Sequence, residues 1–143
     1  MGVRMTGRLY ARIAASIVCA ALTACGTPAE PDVLVASGSW GGVSIRLDVT
    51  ASGATVDYDC AHGTIDQPLV ADRDGRFSAT GTHVREHGGP IRLDDPPDRH
   101  PAQYAGQVSG RSMRLTVTLL DTPQVLGTFD AVFGVNGRVL KCL

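Results

Sequence analysis

The 143-residue chain carries no Walker phosphate loop, no Cys-x-x-Cys pair and no His-Glu-x-x-His helix motif. Their absence removes the ordinary signatures of nucleotide hydrolysis, dithiol redox chemistry and zinc proteolysis. A Gly-x-Ser-x-Gly nucleophile elbow is also missing, because Ser39 is followed by Gly41 but has Ser37 where the first glycine belongs. A convergent Ser-His-Asp triad needs no local motif, so a hydrolase stays as a remote alternative to a non-enzymatic protein. The longest apolar stretch, Ile13 to Leu22, is too short to span a bilayer, which takes about 20 predominantly apolar residues. No period of 3.6 residues follows it.

What is present begins with an export signal. Arg4, Arg8 and Arg12 form a basic region, Ile13 to Leu22 an apolar one, and small residues a cleavage site. Leu22-Thr23-Ala24-Cys25 resembles the lipobox of bacterial lipoproteins at all four positions, whereas Cys19 has bulky Val18 before it. The resemblance implies removal of residues 1–24 as a signal-peptide helix and a lipid, palmitate among its acyl chains, on Cys25. The mature protein is then expected outside the cytoplasm, anchored to a membrane of the cell envelope. Two or more acyl chains anchor stably where one does not.

All 14 Asp+Glu lie beyond the signal together with ten of the 13 Lys+Arg, leaving a mature net charge of −4. Nucleic acid is not an expected partner of such a surface. The 119 residues from Cys25 suit one domain, which buries roughly 65% of its unfolded surface on folding. Cys60 and Cys142 remain as an even pair in an oxidising compartment and are expected to form one disulfide; two free thiols are the alternative. Two cysteines without further ligands at suitable spacing do not make a metal site, and no cofactor is expected.

Residues 25–36, with Pro28 and Pro31, read as a flexible tether, and 37–143 as the folded domain. Val43, Ile45, Leu47 and Val49 alternate with polar residues, the two-residue period of a half-buried strand. A second strand has Val56, Tyr58 and Cys60 on its inward row. Thr64 to Val70 is a weaker strand containing Pro68, and Asp74-Gly75 marks a hairpin before the strand Phe77 to Glu86. Asp72-x-Asp-Gly lacks the remaining ligands of a calcium loop. A long loop follows, His87 to Pro101. Strands are then expected from Tyr104, from Met113 and around Phe129, Ala131 and Phe133. Asn136-Gly137 predicts a hairpin into a last strand, Val139 to Cys142. Eight short strands at regular spacing predict an all-β antiparallel up-and-down barrel, with a two-sheet sandwich as the alternative.

Gly38-Ser39-Trp40 at the mouth of the first strong strand is similar to the Gly-x-Trp of lipocalins and other calycin-like barrels. That resemblance implies Arg138 or Lys141 stacked on the Trp40 indole. The chain also resembles a family of uncharacterised secreted bacterial proteins in Cys60-Ala61-His62-Gly63, in Met113 to Val117 and in Lys141-Cys142-Leu143; that family implies no activity.

Candidate site residues come from the strand at Phe77. If Phe77, Ala79 and Gly81 face the interior, the small residues leave space there, and His83 and Arg85 bring polar groups to one mouth. Trp40 and Tyr104 would complete its rim, giving a pocket for a small anionic or amphipathic ligand. A bulge at Gly81 would instead turn His83 and Arg85 to solvent and leave Trp40 and Tyr104 as core. His62, His83, His87 and His100 read as polar and loop histidines rather than zinc ligands, and Asp57 and Asp59 as solvated outer carboxylates. The expected function is binding of a small molecule or lipid; the alternative is an interaction module for an envelope protein.

Overall fold

The computed structural model describes residues 1–2, 32–89 and 94–142. The lipobox with Cys25, the expected signal helix and most of the tether lie outside the described residues. Ten strands are assigned: β1 Val33–Leu34, β2 Gly38–Gly42, β3 Ile45–Val49, β4 Ala54–Tyr58, β5 Ala61–Ile65, β6 Val70–Ala71, β7 Arg76–Arg85, β8 Asp98–Ser109, β9 Ser112–Leu119 and β10 Gln124–Phe133. Eight of them close an antiparallel barrel in the order β10-β2-β3-β4-β5-β7-β8-β9. β1 and β6 form a separate short pair.

Alternation explains most of this. Ile45, Leu47 and Val49 on β3 and Met113, Leu115, Val117 and Leu119 on β9 are all buried, with polar residues between them turned outward. The rows meet in one core. Trp40, Ile45, Leu47, Tyr104, Leu115 and Val117 show no exposed surface, so the middle of the barrel is filled. Ala79 on β7 and Ala102 on β8 are buried beside these large side chains, an arrangement of small against large that suits a narrow barrel.

Five expectations are corrected. The first barrel strand is Gly38–Gly42, whose three glycines hide it from any apolar period. Those glycines are needed: a side chain at Gly42 would collide with the Asp130 carbonyl, and one at Gly41 with the backbone of Val135 to Gly137. Val43 is accordingly exposed in the β2–β3 turn and does not lead the next strand. Cys60 lies in the β4–β5 turn with a positive φ of 55°, not on an inward row. The segment expected as one strand, Thr64 to Val70, divides between the end of β5 and β6, interrupted at Asp66 to Leu69, which includes Pro68. Finally, Asn136-Gly137 makes no hairpin, and Val139 to Cys142 is an irregular tail.

That tail has a task. Its Arg138 pairs with Val43 in an isolated parallel bridge, donating its N–H to the Gly42 carbonyl and accepting from Ser44 N–H, and its Leu140 carbonyl accepts from Cys60 N–H. Ser44 and Cys60 are the two non-glycine residues described with positive φ, a conformation costing roughly 1–2 kcal/mol each. Both are therefore held by the same strap. The Cys60–Cys142 disulfide closes it across a sequence separation of 82, worth about 4–5 kcal/mol as an upper figure in the chain-entropy account.

Part of the expected tether is also fixed. Val33 and Leu34 pair with Ala71 and Val70, and Val35 is buried with its N–H on the Leu69 carbonyl. Of this run only Val35 gains burial; Val33 and Leu34 are held by strand pairing and stay exposed.

Candidate ligand-binding mouth

The strand directions divide the turns between two ends. One end carries the β3–β4 and β8–β9 turns and the β1–β6 pair; the other carries the β2–β3, β4–β5 and β9–β10 turns and the long β7–β8 connection. Call the first the Trp40 end and the second the His83 end.

β7 runs in unbroken register against β8 from Arg76 opposite Gln107 to Arg85 opposite Asp98. Gly81 therefore sits in phase, without a bulge, and His83 follows Phe77 and Ala79 to the inside, where it is only 6% exposed. Arg85 reaches the rim, half exposed, with Asp98 Oδ2 at 3.6 Å from its Nη1. Between β4, β5, β7 and β10 lies a cavity of about 300 Å³ lined by Tyr58, Asp59, Cys60, Ala61, His83, Arg85, Glu86, Leu126 and Phe129. Tyr58 stands between two rings, His83 and Phe129, each with its centroid 5.4 Å away.

The polar chemistry of this mouth is unbalanced. Tyr58 Oη and His83 Nδ1 are buried and neither makes a well-formed hydrogen bond among the described residues, the Tyr58 hydroxyl lying near that of Tyr104; a buried group left so costs about 1–3 kcal/mol. Burial pushes the Tyr58 phenol far up, with Tyr104 adding to it, and pushes His83 below its ordinary 6.5, with Arg85 and His100 adding to the effect. Both groups are thus neutral near pH 7. The carboxylates nearby are already engaged. Asp59 accepts the Leu140 N–H at 2.6 Å, which holds its carboxyl below the usual range. Glu86 is lowered chiefly by its 2.7 Å hydrogen bond to His62, which with Lys141 prevails over the opposing effect of burial. Arg85 is left as the cation of the cavity wall.

Outside the mouth, Lys141 bridges Asp57 at 3.0 Å and Glu86 at 3.2 Å, while Arg46 reaches Asp57 at 2.9 Å. Partial burial works against the Asp57 charge, but Lys141 and Arg46 outweigh it and hold its carboxyl down. This network ties the tail to β3, β4 and the end of β7. His100 is held between Asp98 and Asp121 at 2.9 and 2.6 Å. Among the described residues no group of three or more His, Cys, Asp or Glu is placed to hold a metal ion.

Of the four expected pocket residues, the structure brings together His83 and Arg85. Trp40 and Tyr104 do not form a rim; both are fully buried core. The Trp40 Nε1 donates to the Ala36 carbonyl at 3.0 Å, and Tyr104 Oη donates to the Thr82 carbonyl at 2.6 Å. Neither Arg138 nor Lys141 stacks on the indole, because the tail is not a strand beside it. Phe133 meets Trp40 edge-on with centroids 5.2 Å apart, and Arg111 lies over Phe133 at 6.0 Å. Tyr58, Leu126 and Phe129 are the site residues the sequence reading left out. Tyr58 and Phe129 stood on inward rows, but only closure of the barrel brings β4 and β10 to one cavity.

A larger crease of about 500 Å³ at the Trp40 end is lined by Val33 to Ala36, Ala71 to Gly75 and Gln107 to Gly110, with Trp40 at its floor. Within it Asp72 Oδ1 accepts from the N–H of Asp74 and of Arg76, which makes the Asp-x-Asp-Gly segment a self-contained turn. The His83 mouth is the better site on chemistry. Compared with protein-family models, with curated proteins and with solved structures, the chain matches none.

Proposed function

We propose that this is a non-enzymatic extracytoplasmic lipoprotein, anchored through a lipid on Cys25, whose barrel binds a small amphipathic molecule or lipid portion at the His83 mouth. The observation that carries the reading is the cavity itself: apolar walls from Tyr58, Leu126 and Phe129, two buried polar groups without well-formed hydrogen bonds, and Arg85 at the rim. Mostly apolar surface with a few converging polar groups is the usual composition of a ligand site. The filled middle of the barrel confines such a ligand to the mouth.

An anchor on Cys25 would also set which end of the barrel lies nearer the membrane. Asp32 lies seven residues after Cys25, an extended reach of about 25 Å, and leads into β1 at the Trp40 end. With the chain entering at the Trp40 end, such an anchor would leave the mouth at the end of the barrel remote from the point of attachment. Purified protein screened against small carboxylic acids and single-chain lipids by amide chemical shifts tests the reading. Shifts at Tyr58, His83, Arg85 and Phe129 are the expected result; a screen that moves only the Trp40 end counts against it. A radiolabelled palmitate incorporation that persists in Cys25→Ser would remove the anchor.

The second reading, an interaction module for an envelope protein, is favoured by the filled core and by the incomplete pairing of β10, considered next.

A further inference from the structure

β9 accompanies β10 along its length, from Gln124 opposite Leu119 to Val132 opposite Ser112. On its other side β10 has β2 only at Val132 and Phe133, opposite Gly41 and Trp40. β2 ends at Gly42, and there the Asp130 carbonyl crowds its Cα while the tail takes the next pairing position through Arg138 and Val43. From Gln124 to Phe129 the edge of β10 therefore has no partner strand among the described residues. Exposed edges are normally blunted by charge, proline or a bulge. Gln124-Val125-Leu126-Gly127-Thr128-Phe129 has neither charge nor proline, and Val125 is 62% exposed; the register shift between Val125 and Gly127 is the one irregularity.

This open edge borders the mouth cavity, since Leu126 and Phe129 form one wall of it. We propose that the free edge of β10 takes up an extended peptide strand, continuing the ladder where β2 stops, with one bulky apolar side chain of that peptide filling the cavity between Tyr58, Ala61, Leu126 and Phe129. Main-chain pairing supplies affinity in such strand addition, and pockets for alternate side chains supply selectivity. A single strand fits this place better than the edge of a second barrel. The far side of the cleft carries Asp59 to Ala61, which line the same cavity, and the tail bound to Cys60 through the Leu140 carbonyl, so a lone strand would lie between β10 and this strapped wall. The inference rests on the mouth being the binding site and goes beyond the small-molecule reading by adding a peptide strand as an occupant of the same cavity.

The full lipidated chain in detergent micelles is titrated with acetylated, amidated hexapeptides of alternating threonine and valine carrying a central phenylalanine or alanine. A third peptide has the phenylalanine sequence with N-methylated backbone, and benzyl alcohol serves as a probe of the cavity alone. Binding is read from backbone amide shifts. The phenylalanine peptide is expected to bind roughly tenfold or more tighter than the alanine one, to shift Val125 to Phe129 and Tyr58 to Ala61 together, and to lose binding on N-methylation. Leu126→Arg should abolish the same response. Equal binding of the N-methylated peptide, or benzyl alcohol binding with no peptide response, overturns strand addition while the mouth remains a ligand site. Absence of response to every probe overturns both. A concentration-dependent dimer that protects β10 amides without peptide overturns the choice of occupant.

Discussion

The two ends of the barrel solve the same problem differently. At the Trp40 end apolar side chains close the interior beneath the surface crease: Trp40, Leu69 and Met113 are almost completely buried, Val35 is buried and bonded to the Leu69 carbonyl, and the indole N–H is satisfied by Ala36. At the His83 end the opening is held from outside, by a tail, a disulfide and an ion-pair network, while the interior keeps two polar groups without well-formed hydrogen bonds. One end spends its residues on packing. The other is braced at its rim, which leaves its interior available for something else. A braced but imperfectly filled end is what a binding site requires, because filling it with protein would remove the cavity.

This contrast can be broken at either end. Trp40→Ala should produce the largest loss, about 3–5 kcal/mol in denaturant melts, as expected for a fully buried aromatic residue. A loss below 1 kcal/mol would mean that the Trp40 end is not the stabilising one. Cys142→Ser should cost about 2–4 kcal/mol, and proteolysis of that variant should begin in the released tail. Tyr58→Phe at the open end should have the opposite sign, stabilising by about 1 kcal/mol, since it deletes a buried hydroxyl that makes no well-formed hydrogen bond. Destabilisation of that size would show that the hydroxyl is satisfied in solution. Ser44→Gly should stabilise by about 0.5 kcal/mol by relieving a left-handed residue, less whatever glycine adds to unfolded-state entropy; no change would place the strain elsewhere.

Acidity sharpens the same end. His83 is depressed by burial, so its contribution is complete above its ordinary 6.5 and is lost as pH falls through its folded value. His100 is raised chiefly by its hydrogen bond to Asp121, and then, against an opposing desolvation, by Asp98, so its contribution is complete below 6.5 and is lost as pH rises through its folded value. Urea melts between pH 5 and 8 should therefore show His83→Phe flattening the acid limb and His100→Gln flattening the alkaline limb. Equal effects of both variants on one limb would contradict the assignment.

Much of the barrel was legible from residues alone, because β3, β4, β9 and most of β7 are written as clean two-residue alternation. The strand Gly38–Gly42 was not. Three glycines carry no apolar signal, and their value appears only when β10 and the tail come within contact of their Cα atoms. Asn136-Gly137 misled for the converse reason: a strong local turn preference yielded to a tail stretched between Phe133 and Cys60 by long-range hydrogen bonds and the disulfide. In the site, His83 and Arg85 were legible once Gly81 was taken in phase. Trp40 and Tyr104 were placed at the same mouth because strand order was known and strand offset was not.

By itself the sequence determined an all-β chain of about eight antiparallel strands and an even pair of cysteines, Cys60 and Cys142, and it offered an inward β7 row ending in His83 and Arg85 as one of two phases at Gly81. Those follow from side-chain period and local chemistry, which act over a few residues. Tertiary structure alone decided which strand completes the barrel, which end is closed by packing, and that β10 outruns β2. These depend on closure, where residues remote in sequence compete for the same edge, and no local period records the outcome of that competition.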